Sequence, residues 1–245
     1  MTETTPHLAP IVVLLFLGAV FVTAVSLLVL LYGAARRSKL YASIGGGAAV
    51  MVVACYLLLL CGVSLASGEK VLPVGGWKYF CEIDCHIGYS VSGVETTGAI
   101  GPEMRRSSRG SQFVVVRLKV WFDEHTISRN RGDGPLTPNR RRVVLEDASG
   151  RAYPQSPEAE AALVRVGGQA GLPPEPLRPG QSFERELAFD VPKDASGLRL
   201  LITEDDPETV LIIGHENSLW HPKIYLALDS APRITREIRP LASGG

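Results

Sequence analysis

Two uncharged apolar runs open the chain, and beyond them the apolar residues begin to alternate with polar ones. The first run, Ile11–Tyr32, has 22 residues. As a helix it would be about 33 Å long, enough to cross a hydrocarbon core about 30 Å thick. The second run, Tyr41–Ala66, is also uncharged and long enough to span. We therefore predict two transmembrane helices, joined into an antiparallel hairpin by a short loop over residues 33–40.

The basic residues indicate the orientation of this hairpin. The loop carries Arg36, Arg37 and Lys39, whereas residues 1–10 carry neither Lys nor Arg. The positive-inside rule then places the loop in the cytoplasm and both termini outside. A cleaved signal peptide is the alternative for the first run, but it needs a basic n-region and an apolar core of only about 7–15 residues. We expect a multi-pass protein of the bacterial cytoplasmic (inner) membrane with an extracytoplasmic C-terminal domain.

Small residues predict where the two helices meet. Residues Gly45–Ala49 of the second helix, together with Gly18 and Ala19 of the first, allow close approach of the two backbones. The alternative is that these residues reflect only the ordinary composition of membrane helices. Cys55 and Cys61 lie within the second apolar run, where we expect small apolar groups rather than redox partners.

From Gly75 onward the hydrophobic period becomes two, which predicts β-strands. The clearest strand is Ser111–Glu124, with alternate residues from Val114 to Phe122 on one apolar face. The other strand candidates are Trp77–Ile83, Ile87–Val94, Val143–Leu145, Arg151–Tyr153, Phe183–Val191, Leu198–Thr203, Thr209–Ile213 and Lys223–Leu228.

One short helix interrupts the strands. Ser156 can cap it, Pro157 suits its first turn, and Gly167-Gly168 ends it. The predicted fold class is therefore a two-helix transmembrane hairpin followed by an all-β, immunoglobulin-like sandwich with one short helix. The sandwich is expected over residues 75–230, with a C-terminal tail over 231–245.

Three tracts carry a resemblance to a known family: FVVVRLKVWF, LEDASGRAYP and LRPGQSFERELAFDVP. They resemble the telokin-like, immunoglobulin-like extracellular domain of unknown function of bacterial membrane-anchored proteins and lipoproteins. The resemblance covers about residues 111–203. It implies a surface sandwich and supplies no catalytic residues. The chain departs from that pattern in having two membrane helices instead of a lipid anchor, and cysteines in its first strand.

The densest cluster of reactive side chains is the segment Trp77–Ser90, which contains Cys81, Cys85 and His86. Thiolates and imidazoles bind copper or zinc well. Two membrane helices followed by an outward sandwich are also loosely similar to subunit II of haem-copper oxidases, but its CxxxCxxxH copper motif is not matched. Further imidazoles near the C-terminus extend the hypothetical metal set. Its members are Cys81, Cys85, His86, His215 and His221.

A disulfide between Cys81 and Cys85 is the competing interpretation of the same cysteines. Residues four apart in a straight strand are about 13 Å apart, whereas a disulfide needs Cα atoms within about 7 Å. A bend at Ile83-Asp84 would allow the bond, which an oxidising exterior would favour. Unpaired structural cysteines are the third possibility.

Charge and missing motifs limit the function classes. With 25 basic and 25 acidic residues, the chain lacks the basic excess of a nucleic-acid-binding protein. The pairs Asp123-Glu124 and Asp205-Asp206 could ligate calcium, but neither has EF-hand spacing. There is no GxSxG, HExxH or phosphate-binding glycine loop, so we do not expect an enzyme.

Two hypotheses about function remain. The first is an interaction module that contacts the lipid bilayer and binds an envelope or membrane protein without a cofactor. The second is a copper-binding or electron-transfer protein that uses Cys81, Cys85 and nearby histidines.

Overall fold

The computed structural model describes residues 9–82, 85–100, 105–106, 110–205 and 207–234, and these form two units. The helical unit comprises the chain up to Lys70 together with Thr203–Ile224. The sandwich unit comprises Val71–Ile202 and the chain from Tyr225 onward. Residues 203–224, which the sequence analysis assigned to the sandwich, are thus grouped with the helices. One reason is a hydrogen bond from the Tyr56 hydroxyl in the second helix to the Leu211 carbonyl, 2.6 Å long.

Two long apolar helices begin the described chain. Helix α1 runs over Ala9–Ala35 and helix α2 over Lys39–Ala66, each a few residues longer than predicted. Both are long and apolar enough to cross a membrane. Only three residues separate them, so the chain reverses direction at the basic loop, where Arg37 adopts a left-handed φ of 52°.

The backbones of the two helices approach closely at Gly45 and at Gly33. A Cβ atom on Gly45 would lie 2.4 Å from the Leu30 nitrogen, and one on Gly33 would lie 2.4 Å from the Ala42 nitrogen. No described residue lies within 4 Å of a Cβ placed on Gly18 or on Gly47. The predicted glycine contact is therefore confirmed for Gly45 and wrong for Gly18 and Gly47. The reason is that only every third or fourth residue of a helix lies on its contact face.

Two sheets form the sandwich. The four-stranded sheet has the order β2-β3-β6-β9, and the five-stranded sheet has the order β1-β11-β10-β7-β8. A third, two-stranded sheet pairs β4 with β5. The strands are β1 Lys70–Leu72, β2 Lys78–Glu82, β3 Cys85–Thr97, β4 Ala99–Ile100, β5 Arg105–Arg106, β6 Ser111–Asp123, β7 Arg141–Glu146, β8 Ala152–Pro154, β9 Ser182–Pro192, β10 Arg199–Glu204 and β11 Ile224–Ala227. With the two helices and one further short helix, this confirms the predicted fold class.

One predicted strand is wrong. Thr209–Ile213 was expected to be extended, but Pro207–Leu211 forms a 3-10 helix. Pro207 has a fixed φ and no N–H group to donate to a ladder, so it favours a helical turn at this point. A second 3-10 turn, Glu124–Thr126, follows β6.

The main core lies between the two large sheets. The predicted inner face of β6 is buried there, including Val116, Leu118 and Phe122, each with no exposed surface. The outer face of the four-stranded sheet, which points away from this core, is apolar at one end. There Phe113 and Val115 are buried in a second cluster with the short helix α3, Pro157–Arg165. Ser156 caps this helix as predicted, because its Oγ accepts a 3.3 Å hydrogen bond from the Ala159 nitrogen.

Part of the predicted tail belongs to the sandwich. The Val94 nitrogen donates to the Pro232 carbonyl at 2.9 Å, and Ile234 is buried. Gly93 permits this approach, since a Cβ there would lie 3.1 Å from the Ile234 side chain. Residues 231–234, at the start of the predicted tail, thus pack on the sandwich, and residues 235–245 lie outside the described part of the chain.

Candidate functional site

The cysteine-containing segment forms a β-hairpin at one edge of the four-stranded sheet. Strands β2 and β3 are antiparallel, with Cys81 opposite His86 and Glu82 opposite Cys85. The chain therefore reverses between Glu82 and Cys85, which is where the disulfide hypothesis requires a bend. The side chain of Cys85 and residues 83–84 lie outside the described part of the structure. The disulfide stays a prediction.

His86 lies on the outer face of the sheet, in register with Cys81 on one side and Asp123 on the other. Its Nδ1 atom is buried and makes no hydrogen bond to the part of the chain that the structure describes. Burial lowers the pKa of His86, although the nearby Asp123 carboxylate acts in the opposite direction. The ring is therefore held towards its neutral form.

Three aromatic side chains lie beside Cys81, His86 and Asp123 on the same face of the sheet. We call them the aromatic patch: Trp77, Tyr79 and Trp121. All three are half-buried. The two indole rings lie 5.2 Å apart between centroids. The patch depends on Gly88, because a Cβ there would lie 2.9 Å from the Trp77 ring and 3.1 Å from the Tyr79 ring.

Tyr79 connects the aromatic patch to Asp123. Burial, followed by the charge of Asp123 and a hydrogen bond to its carboxylate, raises the pKa of Tyr79 to about 12. The hydroxyl therefore stays protonated as a hydrogen-bond donor. The ring of Tyr79 also meets the His86 ring edge-on, with 6.3 Å between centroids.

Asp123, Glu124 and His125 bring their oxygen and nitrogen atoms within 4.8 Å of one another at the end of β6. Asp123 Oδ1 accepts a hydrogen bond from the His125 nitrogen at 2.9 Å and lies 3.0 Å from His125 Nδ1. Glu124 and His125 are exposed. The Asp123 carboxylate therefore caps the 3-10 turn that follows β6.

The other two predicted ligands belong to the helical unit. His215 is 3% exposed, and both of its ring nitrogens are engaged. Its Nδ1 accepts from the Asn217 nitrogen at 3.0 Å, so Nε2 carries the proton that faces Glu204 at 2.9 Å. His221 Nδ1 lies 2.7 Å from the Pro222 carbonyl, to which it donates. The five-residue copper set stays a prediction.

A polar pocket, which the sequence analysis missed, lies on the outer face between the aromatic patch and α3. Its volume is about 250 Å³. At its base Arg117 Nη2 pairs with buried Glu186 Oε1 at 3.0 Å. Gly168 forms part of its wall, where a Cβ would lie 2.9 Å from Glu186 Oε2. The sequence signal was an Arg on β6 and a Glu on β9 at facing positions, which only the register identifies as a pair.

The LEDASGRAYP tract forms the hairpin between β7 and β8. Asp147 Oδ1 accepts hydrogen bonds from the Ser149 nitrogen at 2.8 Å, the Ser149 Oγ at 2.6 Å and the Arg151 nitrogen at 3.0 Å. Its Oδ2 accepts from the Tyr153 hydroxyl at 2.6 Å. These donors, those of Ser149 and Tyr153 above all, hold the pKa of Asp147 well below its usual range. Asp147 and Tyr153 of this tract thus have a structural role in the hairpin.

The model of one protein family, a domain of unknown function named DUF4352, matches residues 84–209. The chain belongs to this family. The matched range contains the Asp147 hairpin, the polar pocket and most of the outer face. Comparison with curated proteins finds no match.

Several solved structures are similar at low identity. A conserved hypothetical protein from Bacillus anthracis is 17% identical, with a TM-score of 0.37, over 51% of this chain and 85% of that one. The secreted protein MPT63 from Mycobacterium tuberculosis is 12% identical, with a TM-score of 0.41, over 65% and 98% respectively. An uncharacterized β-sandwich protein from Clostridium difficile is 9% identical, with a TM-score of 0.35, over 66% and 95%.

Proposed function

We propose that this DUF4352 protein is a membrane-anchored, extracytoplasmic interaction module. Its sandwich binds a protein or another envelope component through the outer face of the four-stranded sheet. The observation that carries this proposal is the aromatic patch, since Trp and Tyr are enriched where protein surfaces bind partners. The patch is half-buried on a sheet face that α3 covers only around Phe113 and Val115 in the described chain.

The distance along β6 supports an open binding face. Phe113, beneath α3, and Trp121, in the aromatic patch, are eight residues apart on the same face of the strand. At the rise of a β-strand this corresponds to about 27 Å. The Arg117–Glu186 pocket lies between them and adds polar groups beside the aromatic surface. This combination of an apolar anchor and a polar rim is typical of specific interfaces.

A photo-crosslinking amino acid at position 121 tests the binding face in the full chain, expressed in its native membrane. The matched control is Val164, which is 57% exposed on α3. We expect a discrete crosslinked adduct from position 121 and none from position 164, and we expect Trp77→Ala to weaken the adduct. Equal labelling from both positions, or no adduct from either, would contradict the proposed face.

The membrane orientation is part of the same proposal. It is supported by the two apolar helices and by Arg36, Arg37 and Lys39 in their connecting loop. Reporter enzymes fused after Gly245 test it. We expect a periplasm-dependent phosphatase to be active there and a cytoplasm-dependent reporter to be inactive. The reverse pattern would refute the extracytoplasmic placement of the sandwich.

Copper binding is a second candidate function, favoured by one observation. Cys81 lies directly opposite His86, whose buried Nδ1 has no hydrogen-bond partner among the described residues. A soft thiolate beside an imidazole suits Cu(I). The test is elemental analysis of the purified full-length protein after Cu(I) loading, with Cys81→Ser and His86→Ala variants and His125→Ala as the control. Substoichiometric copper that neither variant reduces would rule this function out.

A further inference from the structure

We propose that residues 207–220 form an interfacial anchor, in which Leu211, Leu219 and Trp220 insert into the outer leaflet of the bilayer that α1 and α2 span. The partner is the lipid surface itself, at the level where headgroups meet acyl chains. This inference rests on the proposed membrane orientation and adds a third membrane contact to the two helices.

The depth of residues 207–220 in the proposed bilayer follows from their contact with α2. The Tyr56 hydroxyl donates to the Leu211 carbonyl at 2.6 Å, and the Tyr56 ring packs on Phe16 of α1 with 6.1 Å between centroids. From Leu40, just beyond the basic loop, to Tyr56 is a rise of about 24 Å along the helix. Because the hydrocarbon core is about 30 Å thick, Leu211 meets α2 close to the outer hydrocarbon boundary.

The segment exposes large apolar side chains at this level. Trp220 is 70% exposed, and Leu211 and Leu219 are each 42% exposed. Trp220 has a left-handed φ of 58°, which is uncommon for a bulky residue, and it follows a turn in which the Ser218 nitrogen donates to the His215 carbonyl. A strained turn that presents Leu-Trp to the surroundings is stabilised when those side chains leave water. Trp is enriched at membrane interfaces because its ring is apolar and its N–H is polar.

Several polar groups in and beside the same segment are paired within the chain. His215 bonds to Glu204, and the Asn217 side-chain amide donates to the Glu204 carbonyl at 2.9 Å and to Thr209 Oγ1 at 3.1 Å. The Lys223 ammonium donates to the Glu216 carbonyl. Such internal pairing lowers the cost of placing an irregular segment against lipid.

An apolar groove continues the lipid-facing surface below the segment. It has a volume of about 450 Å³, and Leu211 forms part of its lining together with α1 and α2 residues such as Val20, Ala24, Val53 and Leu57. An acyl chain of the same leaflet fits this chemistry.

The experiment uses the full-length protein in liposomes that contain phosphatidylcholine brominated near the ester end or near the methyl end of its acyl chains. Tryptophan fluorescence of the wild type is compared with that of Trp220→Phe and of the control Trp121→Phe. The differences isolate the emission of each tryptophan. We expect shallow bromines to quench Trp220 about twofold more than deep ones, and Trp121 not to be quenched.

Carbonate extraction of the same liposomes separates the possible failures. If the protein stays in the membrane while Trp220 is quenched no more than Trp121, the interfacial anchor is refuted and the membrane proposal stands. If carbonate releases the protein, the proposed insertion of α1 and α2 in the membrane and the anchor both fail. Leu219→Asp provides a second measurement, since it should abolish the shallow quenching of Trp220 without releasing the protein.

Discussion

The helical unit and the sandwich unit use the same large apolar residues in opposite ways. In α2, Leu58 is 72% exposed, whereas Phe122 in the sandwich core has no exposed surface. In the proposed membrane placement, α1 and α2 would gain little from burying Leu against Leu, so close backbone contact at small residues would hold them together. A sandwich in water is stabilised by removing large side chains from the solvent. Under the proposed membrane placement, the comparison teaches that the burial of large apolar side chains in each unit follows the solvent that surrounds it.

The role of glycine shows the same contrast. At Gly45 the space of a Cβ is occupied by the backbone of α1, with the Leu30 nitrogen at 2.4 Å. At Gly88 it is occupied by the rings of Trp77 and Tyr79. Backbone cannot move aside without separating two helices, whereas rings can rotate. Substitutions at the two glycines should therefore differ in cost.

The largest expected effect comes from the sandwich core. Phe122→Ala should lower the free energy of unfolding of the sandwich by about 3–5 kcal/mol, because it removes a fully buried ring and leaves a cavity. Urea denaturation of the full chain in detergent, followed by near-ultraviolet circular dichroism, measures it. The control is Phe21→Ala in α1, where the ring is 68% exposed and the expected change is close to zero. Equal losses would break the contrast between the units.

The next effect concerns the helix contact. Gly45→Val should destabilise the α1–α2 hairpin by about 1–3 kcal/mol, the usual cost of overpacking a close contact. Gly47→Val is matched in chemistry but meets open space, and it should leave the hairpin intact. Disulfide crosslinking of cysteines placed at the ends of the two helices reports their pairing. A similar loss of crosslinking in both variants would show that Gly45 has no special position.

A smaller effect is expected at the aromatic patch. Gly88→Ala should cost about 1 kcal/mol, because the Trp77 and Tyr79 rings can shift to admit a methyl group. The near-ultraviolet signal of tryptophan should change while the midpoint of unfolding moves little. Crosslinking from position 121 should weaken in the same variant. An unchanged tryptophan signal would mean that the rings do not rest on Gly88.

The smallest effect near neutral pH concerns Asp147. Its pKa is lowered in the folded state, so its contribution to stability is complete above the ordinary value of 3.8 and is lost as the pH falls below it. We expect no change from this group between about pH 7 and 5 and a loss of sandwich stability in stronger acid. Asp147→Asn should lack this acid dependence. Acid titration of the denaturation midpoint for both proteins provides the check.

Part of the candidate site could be predicted from the sequence. The alternation in β6 identified Phe122 as a core residue and Trp121 as a residue of the opposite face, because side chains alternate strictly along a strand. Cys81 and His86 were recognised as reactive groups. Their direct pairing was not predicted, since it depends on the register of β2 against β3. Nor was the Arg117–Glu186 pocket, whose members are 69 positions apart in the chain.

Two other predictions, the strand at Thr209–Ile213 and the set of glycines at the helix contact, were wrong because tertiary contacts select among residues that look alike in the sequence. Thr209–Ile213 has the composition of a strand, yet the chain from Pro207 forms a 3-10 helix whose last residue, Leu211, bonds to Tyr56. The three consecutive glycines of α2 look equivalent, but only Gly45 has the α1 backbone where its Cβ would be. The sequence contains the residues that make these contacts. It does not show the rotation of α2 or the level at which Leu211 meets that helix, and these decide which residues touch.

By itself, the sequence determined the elements whose signals are periodic and local. These are two long apolar helices, a basic loop, alternating strands and a short helix capped by Ser156. Hydrophobic period, capping and turn chemistry act over a few residues, so they can be recognised without a partner. Only the tertiary structure decided which residues face one another: Gly45 against Leu30, Cys81 beside His86, aromatic rings over Gly88, and residues 203–224 grouped with the helices. Such contacts depend on strand register and helix rotation, where a shift of one residue exchanges the buried and exposed faces.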